Sequence, residues 1–165
     1  MKNNALVLGK RTAIDWALFE NDLHQKFGVN AVTFGKDGKR RTAREIDTAN
    51  EICYLIKKHP LCACRICDLV QRYLNHLARA KKRYVTEECA AGMYKIVVPV
   101  IQEGQVEGFI STCGRPFIST DRIYTHYIIK TIFEDETKIE DLLPTLVPID
   151  PRTIKDILIY ITSYS

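Results

Sequence analysis

The chain has 165 residues, 46% of them hydrophobic and 27% charged, with a formal net charge of +4. That length fits one domain spanning residues 1–165, and the apolar content excludes a disordered chain. No apolar run reaches the roughly 18 residues that a membrane-crossing helix needs, and the patch after Met1-Lys2-Asn3-Asn4 is too short for a secretory signal, so the chain reads as cytoplasmic.

Thr12 to Phe27 reads as a helix, with Ile14, Leu18, Leu23 and Phe27 on one stripe and Phe19 beside it. Gly28 supplies its stop. Val29 to Phe34 reads as a short strand. Lys36-Asp37-Gly38-Lys39 reads as an Asp-Gly hairpin turn whose return strand begins at Arg40 to Thr42. Asp47 to Lys58 is a helix carrying Ile52, Leu55 and Ile56. His59-Pro60 ends it, because the residue before proline resists the α conformation. Leu61 to Ile66 reads as a cysteine-rich connector. Cys67 or Asp68 opens the next helix, with Leu69, Val70, Tyr73, Leu74 and Leu77 inward and Arg79 to Arg83 at its end. A short strand, Tyr84 to Thr86, leads into the stretch around which the chain is organised.

That stretch holds two runs rich in β-branched and aromatic residues, Met93 to Ile101 and Val106 to Thr112. The break between them, Glu103-Gly104-Gln105, has the length and glycine of a tight hairpin loop. Cys89 precedes the first strand and Cys113 follows the second. Thr120 or Asp121 caps a helix running to Phe133. Lys138 to Leu143 is a shorter helix stopped near Pro144. Asp150-Pro151 is an N-cap followed by proline at the first helical position, opening a last helix to about Tyr164 with Ile154, Ile157, Leu158 and Ile161. Helices, then strands, then helices imply an α+β fold with helices packed on an antiparallel sheet.

The basic clusters Lys36 to Arg44, Lys57-Lys58 and Arg79 to Arg83 could meet phosphates. No nucleic-acid motif accompanies them, so they read as a solvated turn and helix ends, and no direct nucleic-acid partner is expected. Six cysteines in a cytosolic chain should be reduced thiols. Cys62-x-Cys64-x-x-Cys67 with Cys89 could hold zinc or an iron–sulfur cluster, or respond to redox state. No second two-residue-spaced pair completes the pattern, and buried hydrophobe is the competing fate of these thiols. Cys53, between Ile52 and Leu55, reads as core. His76, beside Tyr73 and Leu77, is either a pocket residue or a hydrogen-bonded, partly buried one, whereas His24 and His126 read as surface positions. G-x-S-x-G, P-loop, G-x-G-x-x-G and H-E-x-x-H are all absent. Cys89 with His76 is the one nucleophile–base pair to consider, and no enzyme is expected.

Four segments together resemble the PocR sensory domain of bacterial and archaeal signalling proteins. They are Asp22 to Thr42 (DLHQKFGVNAVTFGKDGKRRT), Ile52 to Cys67, Cys89-Ala-Ala-Gly92-Met-Tyr followed by Val98-Pro99-Val100 and Gly108-Phe-Ile, and Leu142 to Ile161 with Val147-Pro148 ahead of the final helix. The resemblance spans roughly residues 12–164. It implies a PAS-like central antiparallel sheet flanked by N-terminal, middle and C-terminal helices around a small cavity. It implies sensing of small organic molecules, hydrocarbon derivatives of the propanediol type. It also implies an output module, fused or in trans: a kinase, a chemoreceptor, or a DNA-binding module for transcription regulation. Cys53, Cys67, Cys89 and Gly92 fall on matching family positions. Cys62 and Cys64 are additions, and Cys113-Gly114 stands where the family often has Gly-Gln. These departures favour, as the alternative, a sensor that depends on a metal or on thiols.

A pocket between helix and sheet would draw on Tyr73, His76, Tyr84, Cys89, Gly92, Met93, Tyr94 and Cys113, with Gly92 letting the backbone turn or approach a ligand closely. The terminal helix is the expected output lever, directly or by pairing with a second copy in a homodimer.

Overall fold

The computed structural model describes residues 5–10, 12–43, 48–119 and 141–164. In chain order its elements are β1 (Leu6–Leu8), α1 (Trp16–Phe27), β2 (Asn30–Gly35), α2 (Glu51–Lys58), α3 (Pro60–Cys62), a π-helical turn (Ala63–Asp68), α4 (Leu69–Lys81), β3 (Val85–Glu88), β4 (Met93–Gln102), β5 (Gln105–Pro116), a 3-10 turn (Leu143–Thr145) and α5 (Pro151–Ser163).

The β4–β5 hairpin is the middle of the sheet. Its two-residue turn, Glu103-Gly104, has positive φ at both positions (50° and 78°), the twist that suits antiparallel strands. β2 pairs antiparallel with the far edge of β5, from Asn30↔Cys113 to Gly35↔Gly108. The free edge of β4 is shared: β3 pairs antiparallel with its first half, and β1 runs parallel to its end, with Leu6 opposite Val100. The fold is α+β with a mainly antiparallel sheet between helical layers, as in a PAS-like domain.

Strand alternation divides the core by face. Ile96, Val98, Val100 and Ile110 face Phe19 and Leu23 of α1 and Ile157, Leu158 and Ile161 of α5. Val97, Phe109 and Val106 face Leu74 and Ala78 of α4. Farther along that second face, Met93 meets Ile52, Cys53 and Ile56 of α2, together with Cys62 and Ile66.

Several expectations need correction. Helix α1 begins at Trp16 because Asp15 caps it, its carboxylate accepting the Leu18 N–H at 3.1 Å. The buried stripe is then Phe19, Glu20 and Leu23, and Leu18 is half exposed. Glu20 is tolerated inside because it accepts hydrogen bonds from Thr33 N, Thr33 Oγ1 and Thr42 Oγ1, each at 2.7 Å. The Asp-Gly turn forms, but its return strand shrinks to a single bridge, Phe34↔Arg40. The cysteine-rich connector is helical throughout, since Pro60 stands where proline starts a helix readily. Helix α4 buries Gln71, Leu74, Asn75 and Ala78, leaving Leu69 and Tyr73 exposed, a rotation of its inward face. Strand β5 runs on to Pro116, so Cys113 lies within it. β1 was not anticipated. The helix expected from residue 120 to 133, Asp47 and residues 138–140 of the shorter helix expected to end at Leu143 lie outside the described residues.

Candidate functional site

The site is built where the hairpin departs from regular pairing. Tyr94 pairs with Arg115 and Ile96 with Thr112, so β5 spends one extra residue opposite Lys95, at Cys113-Gly114. Such a bulge bends the strand and re-aims its side chains. Only glycine suits position 114. Its φ is +99°, and a Cβ there would lie 2.6 Å from Asn30 Nδ2 and 2.7 Å from the Ala49 Cβ.

Two asparagines tie this bulge to α2. Asn50 is the α2 N-cap: its Oδ1 accepts the Cys53 N–H at 2.8 Å. Its Nδ2 donates to the Gly114 carbonyl and lies 3.4 Å from the Cys53 sulfur. Asn30 Oδ1 accepts the Ala49 N–H, and Asn30 Nδ2 lies 3.7 Å from the Cys113 sulfur.

The thiols gather unevenly. Cys53, Cys67 and Cys89 pack into one apolar layer with Ile52, Ile66 and Met93. Cys89 is held by a turn in which the Gly92 N–H donates to the Cys89 carbonyl at 2.8 Å, with φ +74° at Gly92. Burial pushes the Cys53 thiol up to about 12 and the Cys89 thiol up to about 11, and raises that of Cys67. Cys62 belongs to the same buried layer, whereas Cys64 does not. Cys62 is buried with its sulfur 3.3 Å from His59 Nδ1, and Cys64 is exposed. Among the described residues, no three His, Cys, Asp or Glu side chains converge tightly enough for a single metal ion.

On the face covered by α4 lies a strip of buried polar residues. Gln71 Nε2 donates to Asn75 Oδ1 at 2.7 Å, and both residues are at least nine-tenths buried. Ser111 pairs with Val97 and so shares its face. Lys95, two residues earlier on β4, is 6% exposed. Its ammonium has no hydrogen bond or ion pair among the described residues; its charge acts on Cys67.

The expected pocket residues are thus distributed. Cys89, Gly92, Met93 and Cys113 lie at the thiol end. Tyr73 and Tyr84 line a separate open cleft of about 430 Å³ between α4 and β3, with Leu77 and Arg83. His76 is exposed. Tyr94 points to the opposite face, its ring 5.3 Å from that of Phe117. Sequence reasoning missed Lys95, Gln71, Asn75, Asn30 and Asn50. The one available signal was a lysine inside the apolar run from Met93 to Ile101.

Compared with known proteins, residues 16–165 match the family model described as PocR, a sensory domain found in PocR. No curated protein and no solved structure matches.

Proposed function

The chain belongs to the PocR sensory domain family, and on that premise we propose that it binds a small organic ligand of the diol or related hydrocarbon-derivative type between its sheet and the α2–α4 layer. A sensory domain in signalling implies a ligand and an output module; ligand class and location are the reading advanced here. The observation that carries it is the polar strip. Gln71 and Asn75 are buried yet bond only each other among the described residues, which leaves Gln71 Oε1 and Asn75 Nδ2 without partners. Buried amides are normally satisfied. One free acceptor and one free donor, with the Ser111 hydroxyl on the facing strands, match the donor–acceptor character of a hydroxylated small molecule.

No catalytic role is assigned. A thiol nucleophile needs a thiolate, and burial holds Cys53, Cys67 and Cys89 protonated near neutral pH. The same argument weakens a simple thiol redox sensor. Signalling would run through α5, by binding that favours one packing of that helix over another. Pairing of two copies through the terminal helices, and a kinase, chemoreceptor or DNA-binding output, belong to the same proposal. No helix among the described residues is long and apolar enough to cross a membrane.

Thermal unfolding with a panel of small diols, alcohols and aldehydes tests the reading. A ligand at a hundred times its Kd should add about 2.7 kcal/mol, a rise of about 5–10 °C at this chain length. Gln71→Leu and Asn75→Leu should remove the rise while keeping the fold. A panel without effect, or a rise that both variants retain, refutes it.

A further inference from the structure

The cleft between α4 and β3 lies along an open edge of the sheet. Among the described residues β3 pairs only with β4. In that register Val85 stands opposite Val97 and Glu87 opposite Lys95. Two residues farther along, the Cys89 N–H donates to the Met93 carbonyl at 2.9 Å. Antiparallel strands alternate residues that bond to one neighbour with residues that bond to the other. Val85 and Glu87 therefore bond to β4, whereas Tyr84 and Thr86 turn their N–H and C=O groups outward. Those groups take no backbone partner among the described residues.

The charges beside this edge are their own complement. Arg83, Val85 and Glu87 line the cleft, and the two charged residues are exposed. When two copies lie edge to edge and antiparallel, with Val85 facing Val85, each Arg83 stands opposite the other copy's Glu87. In the same register Tyr84 and Thr86 exchange their outward hydrogen bonds across the twofold axis. Opposite charges facing each other across strands stabilise the pair, and like charges oppose it. An edge carrying one sign of charge would repel a second copy.

An apolar row on α4 flanks the same edge. Leu69 and Tyr73 are 60% and 53% exposed, four residues apart, and half-buried Leu77 continues the row. Tyr73 and Leu77 also line the cleft. A twofold axis perpendicular to the sheet sets the two α4 helices antiparallel on one face, where their rows meet. A four-residue strand is too short to hold a dimer by backbone bonds alone, and these side chains supply apolar area.

We propose that the chain forms a homodimer through β3, the two sheets joining edge to edge and the α4 rows of Leu69, Tyr73 and Leu77 closing over the junction. The occupant of the edge is a second copy because the order Arg83, Val85, Glu87 matches its own antiparallel image. The contact is isologous, so it closes at two chains. This surface goes beyond the ligand reading and does not depend on it. It is also separate from α5, which packs on the opposite face of the sheet.

The test is sedimentation equilibrium of the reduced 165-residue chain over a concentration series. Expected is a reversible dimer of twice the 18.9 kDa chain mass. Arg83→Glu and Glu87→Arg each set like charges opposite one another, twice per dimer, and should each weaken it about tenfold. The double variant Arg83→Glu with Glu87→Arg restores the opposite pairs and should recover most of the affinity. Tyr73→Lys should weaken the dimer from the helix side. All three positions are exposed, so the variants should keep the fold, which far-UV circular dichroism checks. A chain that stays monomeric throughout the series overturns the proposal. So does a dimer that Arg83→Glu and Tyr73→Lys leave unchanged, as pairing through α5 would give, and so does a double charge swap no tighter than either single one.

Discussion

Asn50 joins α2 to the bulge with one side chain, and its removal should be costly in a calculable way. Asn50→Ala deletes the N-cap of α2, a loss of about 1 kcal/mol. It also strips the donor from the part-buried Gly114 carbonyl and from the Cys53 sulfur. A buried acceptor left unsatisfied costs about 1–3 kcal/mol. The expected total is about 2–4 kcal/mol, which at roughly 2–4 °C per kcal/mol lowers the melting temperature by about 5–15 °C. Asn50→Asp separates the contributions. Aspartate caps as well as asparagine, but it cannot donate and sets a carboxylate against the Gly114 carbonyl. It should therefore recover no more than the capping share. Urea unfolding of metal-free, reduced protein is the assay, read as a shift in midpoint at constant slope. An Asn50→Asp protein as stable as wild type would show that the two amide donations contribute nothing and that the bulge is held by other means.

Phe19→Ala should cost about 3–5 kcal/mol and speed amide exchange in α5, because Phe19 is fully buried with the Tyr164 ring at 4.5 Å and the Tyr160 ring at 6.2 Å; unchanged exchange in α5 would refute its anchoring role. Arg115→Gln should make the segment before α5 sensitive to protease, since the guanidinium donates to the Phe27 carbonyl at 2.9 Å, to Val147 at 3.1 Å and to Pro148; resistance equal to wild type would count against it. The Asp150 carboxyl is held below its ordinary value of 3.8, chiefly by the Thr153 N–H and hydroxyl it engages and also by Arg115. A depressed folded value means that its contribution is present above that ordinary value and is lost as pH falls through the lower folded one. The stability gap between wild type and Asp150→Asn should thus be flat above about pH 5 and shrink below about pH 4; a flat gap down to about pH 2 would contradict the linkage. Finally, brief alkylation of the native, metal-free protein should label Cys64 first, because it is exposed while Cys53 and Cys62 are buried; equal labelling of Cys53 would show that α2 opens readily.

The periodic elements were legible because their signals are local. The hairpin, the Asp-Gly turn, the Pro60 boundary and the Asp150-Pro151 cap each rest on residues within a few positions of one another. What failed depended on partners distant in sequence. The α4 stripe was phased on Leu69 and Tyr73, whereas the sheet selects Gln71, Leu74, Asn75 and Ala78, a set whose polar members look like surface. β1 is three residues long and exists only because β4 offers an edge. In the site, Cys67, Cys89 and Cys113 were singled out from sequence, and Cys53 was read as core. The Cys62-Cys64-Cys67 spacing names three thiols alike, yet the helical path through Pro60 buries Cys62 in the same layer as Cys53 and turns Cys64 to solvent. Spacing along a chain predicts convergence only when the backbone between the donors is known. Here that backbone is a π turn, where the Leu69 N–H reaches back to the Cys64 carbonyl.

The thiol layer and the terminal helix lie on opposite faces of the sheet, yet one strand serves both. Cys113 and Gly114 form the bulge beside α2. The next residue, Arg115, grips the end of α1 and the segment leading to α5. Beyond it, the Pro116 carbonyl accepts the Ile149 N–H at 2.7 Å, and the Ile118 N–H donates to the Ile149 carbonyl at 3.0 Å. Asp150, the α5 cap, follows immediately. A ligand that straightens or tightens the bulge would therefore act on the base of α5 through a few residues of one strand. A bulge has discrete paired registers, unlike a packed core that resists graded deformation. If the domain signals through α5, β5 is the shortest covalent route by which occupancy on one face can bias the helix on the other.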